Sequence, residues 1–303
     1  MLKNIIFCLF FLFRLTVIIN AQDEINHPKT EPWSSNVPYS QLSPNNFNPS
    51  RDPNIDEYLA NWKESMPVPS HGGLVERYIF TRNDAVQTNR SLKGKVFNSI
   101  NRFSHVTLRT QTSTSPTTLK GEQEIFYVLS GHGIVSGNNE EYDIFPGIIF
   151  LIPANIEFQI TNTGDEPVMM YLIVEPVPEG FIPKTHIVIH NEATLPIVKT
   201  DNHWNNITKE LIKPEEGLAV IEEIFTILLP AGTMSQPFSF IGGVEAVYSV
   251  VEGNPLMLSG KQIRNLSAGS AYMVIPNGTT PHANINLTNN MIKYFYFGLL
   301  NDK

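Results

Sequence analysis

GEQEIFYVLSGHGIV (121–135) leads into FPGIIFLIPANIEFQITN (145–162), and the same outline returns as GVEAVYSVVEGNPLML (243–258) followed by LSAGSAYMVIPNGTTPHANIN (266–286). Each copy is a run of β-branched and aromatic residues that closes on a glycine, Gly131 or Gly253. Each then continues as a strand framed by Gly and Pro that enters a turn. Around these passages lie further short runs, VERYIF, HVTLRT and MMYLIVEPV, with Ser-Gly-Asn-Asn and Thr-Gly-Asp-Glu-Pro as turns. Many short strands between Gly/Pro turns point to a sandwich or barrel. The repeat spacing fits two related domains of about 110–120 residues better than one large barrel. Pro176, Pro178 and Pro183 mark the junction between them.

The N-terminus reads differently. Residues 1–21 have Lys3, an apolar run from Ile5 to Ile19 and Ala21 at the cleavage position, the pattern of a secretory signal peptide. Residues 22–70 are rich in Pro, Asn and Ser and form an expected extended arm. Within it, Ile55, Tyr58, Leu59 and Trp62 at helical spacing predict one short helix over 54–64. The first barrel is then expected over 71–180, and a linker with the second barrel over 181–303.

Composition removes several function classes. The single cysteine, Cys8, lies inside the signal, so the mature chain has no disulfide and no thiolate metal ligand. A net charge of −8 with no basic stripe argues against a nucleic-acid partner. It also argues against an anionic membrane surface after signal cleavage. Five Asn-x-Ser/Thr sequons, at Asn89, Asn206, Asn265, Asn277 and Asn286, are candidate glycosylation sites of a secreted glycoprotein. Asn277 and Asn286 are the two open to structural hindrance.

The repeated passages resemble the two sequence signatures of the cupin superfamily, and the whole chain after the arm is similar to a bicupin. That resemblance implies an all-β fold: two tandem cupin (double-stranded β-helix, or jelly-roll) barrels behind an extended Pro/Asn-rich arm. In metal-containing members of the family, three His and one Glu project into the barrel and hold Mn, Fe, Ni, Cu or Zn. Such a set leaves coordination positions open for substrate. Carried onto the first copy, the His positions fall on Thr117, Leu119 and Phe158, and only Glu124 keeps a ligand type. In the second copy Phe238 and Phe240 stand where His-x-His is expected, either Glu245 or Ala246 takes the Glu position, and His282 is retained.

The eight former ligand positions (Thr117, Leu119, Glu124, Phe158, Phe238, Phe240, Glu245 and His282) are therefore the candidate pocket. The remaining metal candidates are His282 and Glu245. For Glu124 the expected partner is a hydroxyl, that of Thr117 or Tyr127, or solvent, and no second inward carboxylate or histidine is visible. His71-Gly72-Gly73 resembles a tight turn, with His71 a remote additional ligand. The expected function is non-catalytic: a secreted bicupin that binds a small molecule or carbohydrate, or a storage or structural component like the seed storage globulins, as a monomer or homo-oligomer. The competing expectation is a metal-dependent dioxygenase, decarboxylase or isomerase working through the second barrel with one divalent first-row metal.

Overall fold

The computed structural model describes residues 52–84, 94–198, 204–240 and 242–299. The signal segment, the arm up to residue 51 and Asn89 lie outside the described residues. The strands run β1 (Leu59–Asn61), β2 (Pro67–Ser70), β3 (Leu74–Arg82), β4 (Lys95–Phe97), β5 (Arg102–Leu108), β6 (Thr117–Thr118) and β7 (Glu122–Ser130). There follow β8 (Gly133–Gly137), β9 (Glu140–Ile144), β10 (Ile148–Ile152), β11 (Glu157–Asn162), β12 (Val168–Pro176) and β13 (Val188–Asn191). The rest are β14 (Ile207–Ile212), β15 (Glu223–Leu229), β16 (Glu245–Glu252), β17 (Leu256–Ser259), β18 (Gln262–Asn265), β19 (Ser270–Met273), β20 (His282–Ile285) and β21 (Ile292–Leu299).

Barrel 1 closes a large sheet, β13-β10-β7-β12-β5-β3-β2, against a small one, β6-β11-β8-β9. Barrel 2 repeats the plan with β1-β19-β16-β21-β15-β14 and β18-β17-β20. Each barrel borrows its outermost strand from the chain before the other: β1 pairs with β19 of barrel 2, and β13 pairs with β10 of barrel 1. The exchange covers two edges that would otherwise expose unpaired backbone groups.

Alternation along each central strand divides its side chains between two cores. On β7, Phe126 and Val128 face the interior of barrel 1, while Ile125 and Tyr127 face barrel 2. On β16, Tyr248 and Val250 face the interior of barrel 2, and Val247 faces barrel 1. The shared core between the barrels is aromatic, with Tyr127 stacked on Phe295 at 4.9 Å and Phe103 edge-on to Phe297 at 5.0 Å.

Two buried carboxylates bridge this interface. Glu175 accepts from the backbone N–H groups of Ala219, Val220 and Ile221, each at 2.9 Å, and from the Gln123 amide at 2.6 Å. Glu245 accepts from the N–H groups of Asn98 (2.7 Å), Ser99 (2.9 Å) and Ile100 (3.3 Å). Each carboxylate thus caps the loop that feeds a strand of the opposite barrel.

The repeated turns have a shared cause. Asn162 and Asn286 end the two signature passages, and each is fully buried with its amide spent on backbone carbonyls. Asn155 adopts φ 69°, the conformation Gly278 takes at φ 70° in the second copy. Asn is among the few side chains that tolerate that region, so the turn survives without a glycine.

The expected helix over 54–64 is instead a 3-10 turn (Ile55–Tyr58), the strand β1 and a second 3-10 turn (Trp62–Glu64). Ile55 enters the barrel 2 core, and Trp62 stacks on His105 of barrel 1 at 3.9 Å. Pairing with β19 takes the backbone hydrogen bonds that a helix would have used.

Candidate functional site

Barrel 1 surrounds a polar cluster. Glu124 is fully buried, and its Oε2 lies 3.0 Å from His71 Nε2 in an ion pair whose angle departs from that of a linear hydrogen bond. Its Oε1 accepts from Arg102 Nη2 at 3.4 Å. Arg102 Nε donates to Glu76 Oε1 at 2.9 Å, and Ser104 Oγ donates to the same oxygen at 2.8 Å. On its other side, His71 Nδ1 is 2.6 Å from Ser70 Oγ. Burial, the largest influence on His71, lowers its pKa, but Glu124 and then Glu76 outweigh it and the net shift is upward.

These partners correct two expectations. The Thr117 hydroxyl donates to the Ser115 carbonyl (3.0 Å), and Tyr127 donates to Glu192 (2.6 Å), so neither serves Glu124. Glu124 does have an inward histidine and a second inward carboxylate nearby, His71 and Glu76. Leu119 and Phe158 are buried in the barrel 1 core, and Phe158 meets the His71 ring at 5.7 Å. Of the four former ligand positions in this barrel, Glu124 alone carries a carboxylate or imidazole.

Barrel 2 replaces polarity with rings. His282 is stacked on Phe240 (5.3 Å, 16°), with Phe238 edge-on at 6.4 Å and Tyr248 tilted at 5.7 Å. Phe238 and His282 also exchange backbone hydrogen bonds, so the sequence grouping of Phe238, Phe240 and His282 is brought together in space. Behind them Tyr248 stacks on Tyr272 at 5.0 Å and meets Tyr296 at 4.8 Å. Tyr296 donates to Glu223 at 3.0 Å, and burial raises the Glu223 carboxyl above its usual range despite that bond. Tyr294, fully buried on the same interior face, has no hydrogen-bond partner for its hydroxyl among the described residues.

Register settles the alternative at the Glu position. Glu124 lies opposite Val174, and the matching place opposite Gly298 is Ala246. Glu245 points the other way, into the interface, where its carboxylate is spent on residues 98–100. The structure therefore separates Glu245 from His282. Beside Ala246 and Gly298 stands Tyr296, whose hydroxyl would lie 2.8 Å from a Cβ built on Gly298.

Among the described sequons, Asn265 and Asn277 are exposed and Asn206 is half-buried. Asn286 is a correction. Its Nδ2 donates to the carbonyls of Leu229 (3.0 Å), Pro230 (3.0 Å) and Asn290 (2.8 Å), so the nitrogen that would carry a glycan is committed inside the fold.

The three-His, one-Glu set does not fit either barrel. The retained groups are Glu124 in one and His282 in the other, and among the described residues no group of three or more His, Cys, Asp or Glu is placed to hold a metal ion. One retained ligand in each barrel falls short of the three or more that protein metal sites use.

The cupin domain family matches residues 104–174, which span β5 to β12 of barrel 1. The chain is 38% identical over 56 residues to auxin-binding protein T85 of Nicotiana tabacum, a match covering 18% of this chain and 30% of that relative's length. Among solved structures, a mutant of Bacillus subtilis oxalate decarboxylase OxdC aligns over 84% of this chain and 80% of its own, with a TM-score of 0.61 at 10% identity. The hazelnut (Corylus avellana) vicilin aligns over 80% of this chain and 85% of its own, with a TM-score of 0.57 at 14% identity. At these identities the likeness is one of fold. The cupin domain match covers barrel 1, and the likeness to the solved structures extends the cupin fold to both barrels. The architecture is that of a bicupin, with one residue of the metal-binding set retained in each barrel.

Proposed function

We propose that the chain is a secreted, metal-free, non-catalytic bicupin with a storage or structural role outside the cell. One observation carries the reading. At the former ligand positions of both barrels, side chains of the protein pack on and pair with one another: His71 and Arg102 on Glu124 in barrel 1, Phe238 and Phe240 around His282 in barrel 2. The likeness in fold to hazelnut vicilin, a seed protein, supports the same class. A metal-dependent reaction through barrel 2 is disfavoured because Glu245, its required second ligand, serves the interface. For the secreted location, the support is the N-terminal signal pattern. No helix among the described residues is long and apolar enough to cross a membrane.

A second reading has its own observation. The Tyr294 hydroxyl lies buried among Tyr248, Tyr272 and Tyr296 without a partner among the described residues, and leaving such a group unmet costs roughly 1–3 kcal/mol. A small molecule or carbohydrate in barrel 2 would supply the missing contact through a polar atom and pack its apolar face on the rings. Native mass spectrometry of gently purified protein separates the readings. The mass of the chain with any glycans supports storage. A stoichiometric organic adduct that Tyr294→Phe abolishes supports binding, and a stoichiometric metal adduct sinks both.

A further inference from the structure

His71 belongs to neither signature, yet its ring lies against two of the former ligand positions of barrel 1. Nε2 contacts Glu124, at the family Glu position, and the ring lies tilted against Phe158, at a family His position. The backbone is shaped for this placement. His71 adopts φ 49°, in the left-handed region that few non-glycine residues enter, His, Asn and Asp most readily among them.

The turn is fastened on both sides, by Ser115 N–H donating to the His71 carbonyl at 2.7 Å and by Gly73 N–H donating to the Ser70 carbonyl at 3.2 Å. Gly72 and Gly73 are required there: a Cβ on Gly72 would collide with Ser115 Oγ, and one on Gly73 would come within 2.6 Å of the Ser113 carbonyl oxygen. A strained residue held by its surroundings signals a constraint at that side chain.

We propose that barrel 1 retains a small-cation site, and that the chain's own His71 occupies it as a built-in ligand in place of a metal ion. Glu124 supplies the opposite charge, Phe158 the ring contact and Ser70 Oγ a partner for the second nitrogen. Arg102 holds the other Glu124 oxygen and places a fixed positive charge beside the site. That charge opposes a divalent ion, so the class of ligand that fits is a compact, singly charged nitrogen cation. The inference goes beyond the proposed function, since it concerns what fills barrel 1 and holds whatever the role of the protein.

Chemical rescue tests it. In the full chain, His71→Gly empties the site without straining the turn, because glycine favours the observed φ. At mildly acidic pH, imidazole should raise the melting temperature of His71→Gly saturably. It should leave the wild type and the double variant His71→Gly/Glu124→Gln unmoved. No shift in His71→Gly, or the same shift in all three proteins, would overturn the proposal. Should His71→Gly fail to fold, His71→Lys and His71→Leu decide the matter. The lysine variant keeps a nitrogen cation within reach of Glu124 and should melt above the leucine variant; equal melting would refute the site.

Discussion

His105 gives the sharpest test of how the N-terminal segment joins the barrels. Its ring is almost fully buried on β5, stacked beneath Trp62 at 3.9 Å. Burial first, and then the charges of Arg77 and Lys63, lower its pKa from 6.5 to about 4. The folded state therefore binds fewer protons than the unfolded state once the pH falls below about 6.5, and stability must drop there. It is full above the unfolded value, declines as the pH falls from 6.5 to about 4, and levels off below. A depression of this size is worth ~3 kcal/mol in total, with about 2 kcal/mol already lost by about pH 5.

The perturbation is His105→Phe, which keeps a flat ring under Trp62 and removes the proton site. Urea unfolding at a series of pH values, followed by circular dichroism, gives the stability difference between wild type and variant. Taking the difference cancels the titration of every other group. Relative to the variant, the wild type should lose about 2 kcal/mol between about pH 7 and about pH 5. Parallel curves for the two proteins would refute the burial argument for His105.

Four further outcomes follow from the buried contacts. His71 carries the opposite sign, since its pKa is raised by Glu124 and Glu76 against burial. Relative to His71→Phe, wild-type stability should be greatest below about pH 6.5 and fall as the pH rises through the raised value, as read by urea unfolding. Replacing Glu245 by Ala leaves three backbone N–H groups at the interface without their acceptor and should cost roughly 3 kcal/mol or more in unfolding free energy. Glycopeptide mapping of the protein secreted from a eukaryotic host should find Asn286 unmodified. Asn286→Ala should destabilise it by about 2 kcal/mol, because three carbonyls lose their donor.

The scaffold was readable from local chemistry. Gly131 and Gly253 take φ 83° and φ 93°, so the sequence had to place glycine there, and Asn162 and Asn286 mark their turns by side-chain bonds to nearby backbone. The site was readable only in part. Phe238, Phe240 and His282 share one barrel mouth because two neighbouring segments bring them there. Glu245 was ambiguous because strand period is two, and a one-residue slip reverses which side chain faces inward. The partners of Glu124 escaped notice because His71 sits on a turn far upstream and Glu76 and Arg102 on separate strands. The one local signal was Glu76 on β3 and Arg102 on β5, charged residues at inward alternation beside Leu74 and Ser104. The segment over 54–64 misled because its spacing also suits a short strand flanked by 3-10 turns, and pairing with β19 decided between them.

The central claim is that side chains of the protein stand where a bicupin enzyme would hold its metal. Elemental analysis of the mature chain, purified without chelators, tests it most directly. The account predicts far less than one equivalent of Mn, Fe, Ni, Cu or Zn per chain. One equivalent of any of them, lost in His282→Ala or in Glu124→Gln, would contradict it.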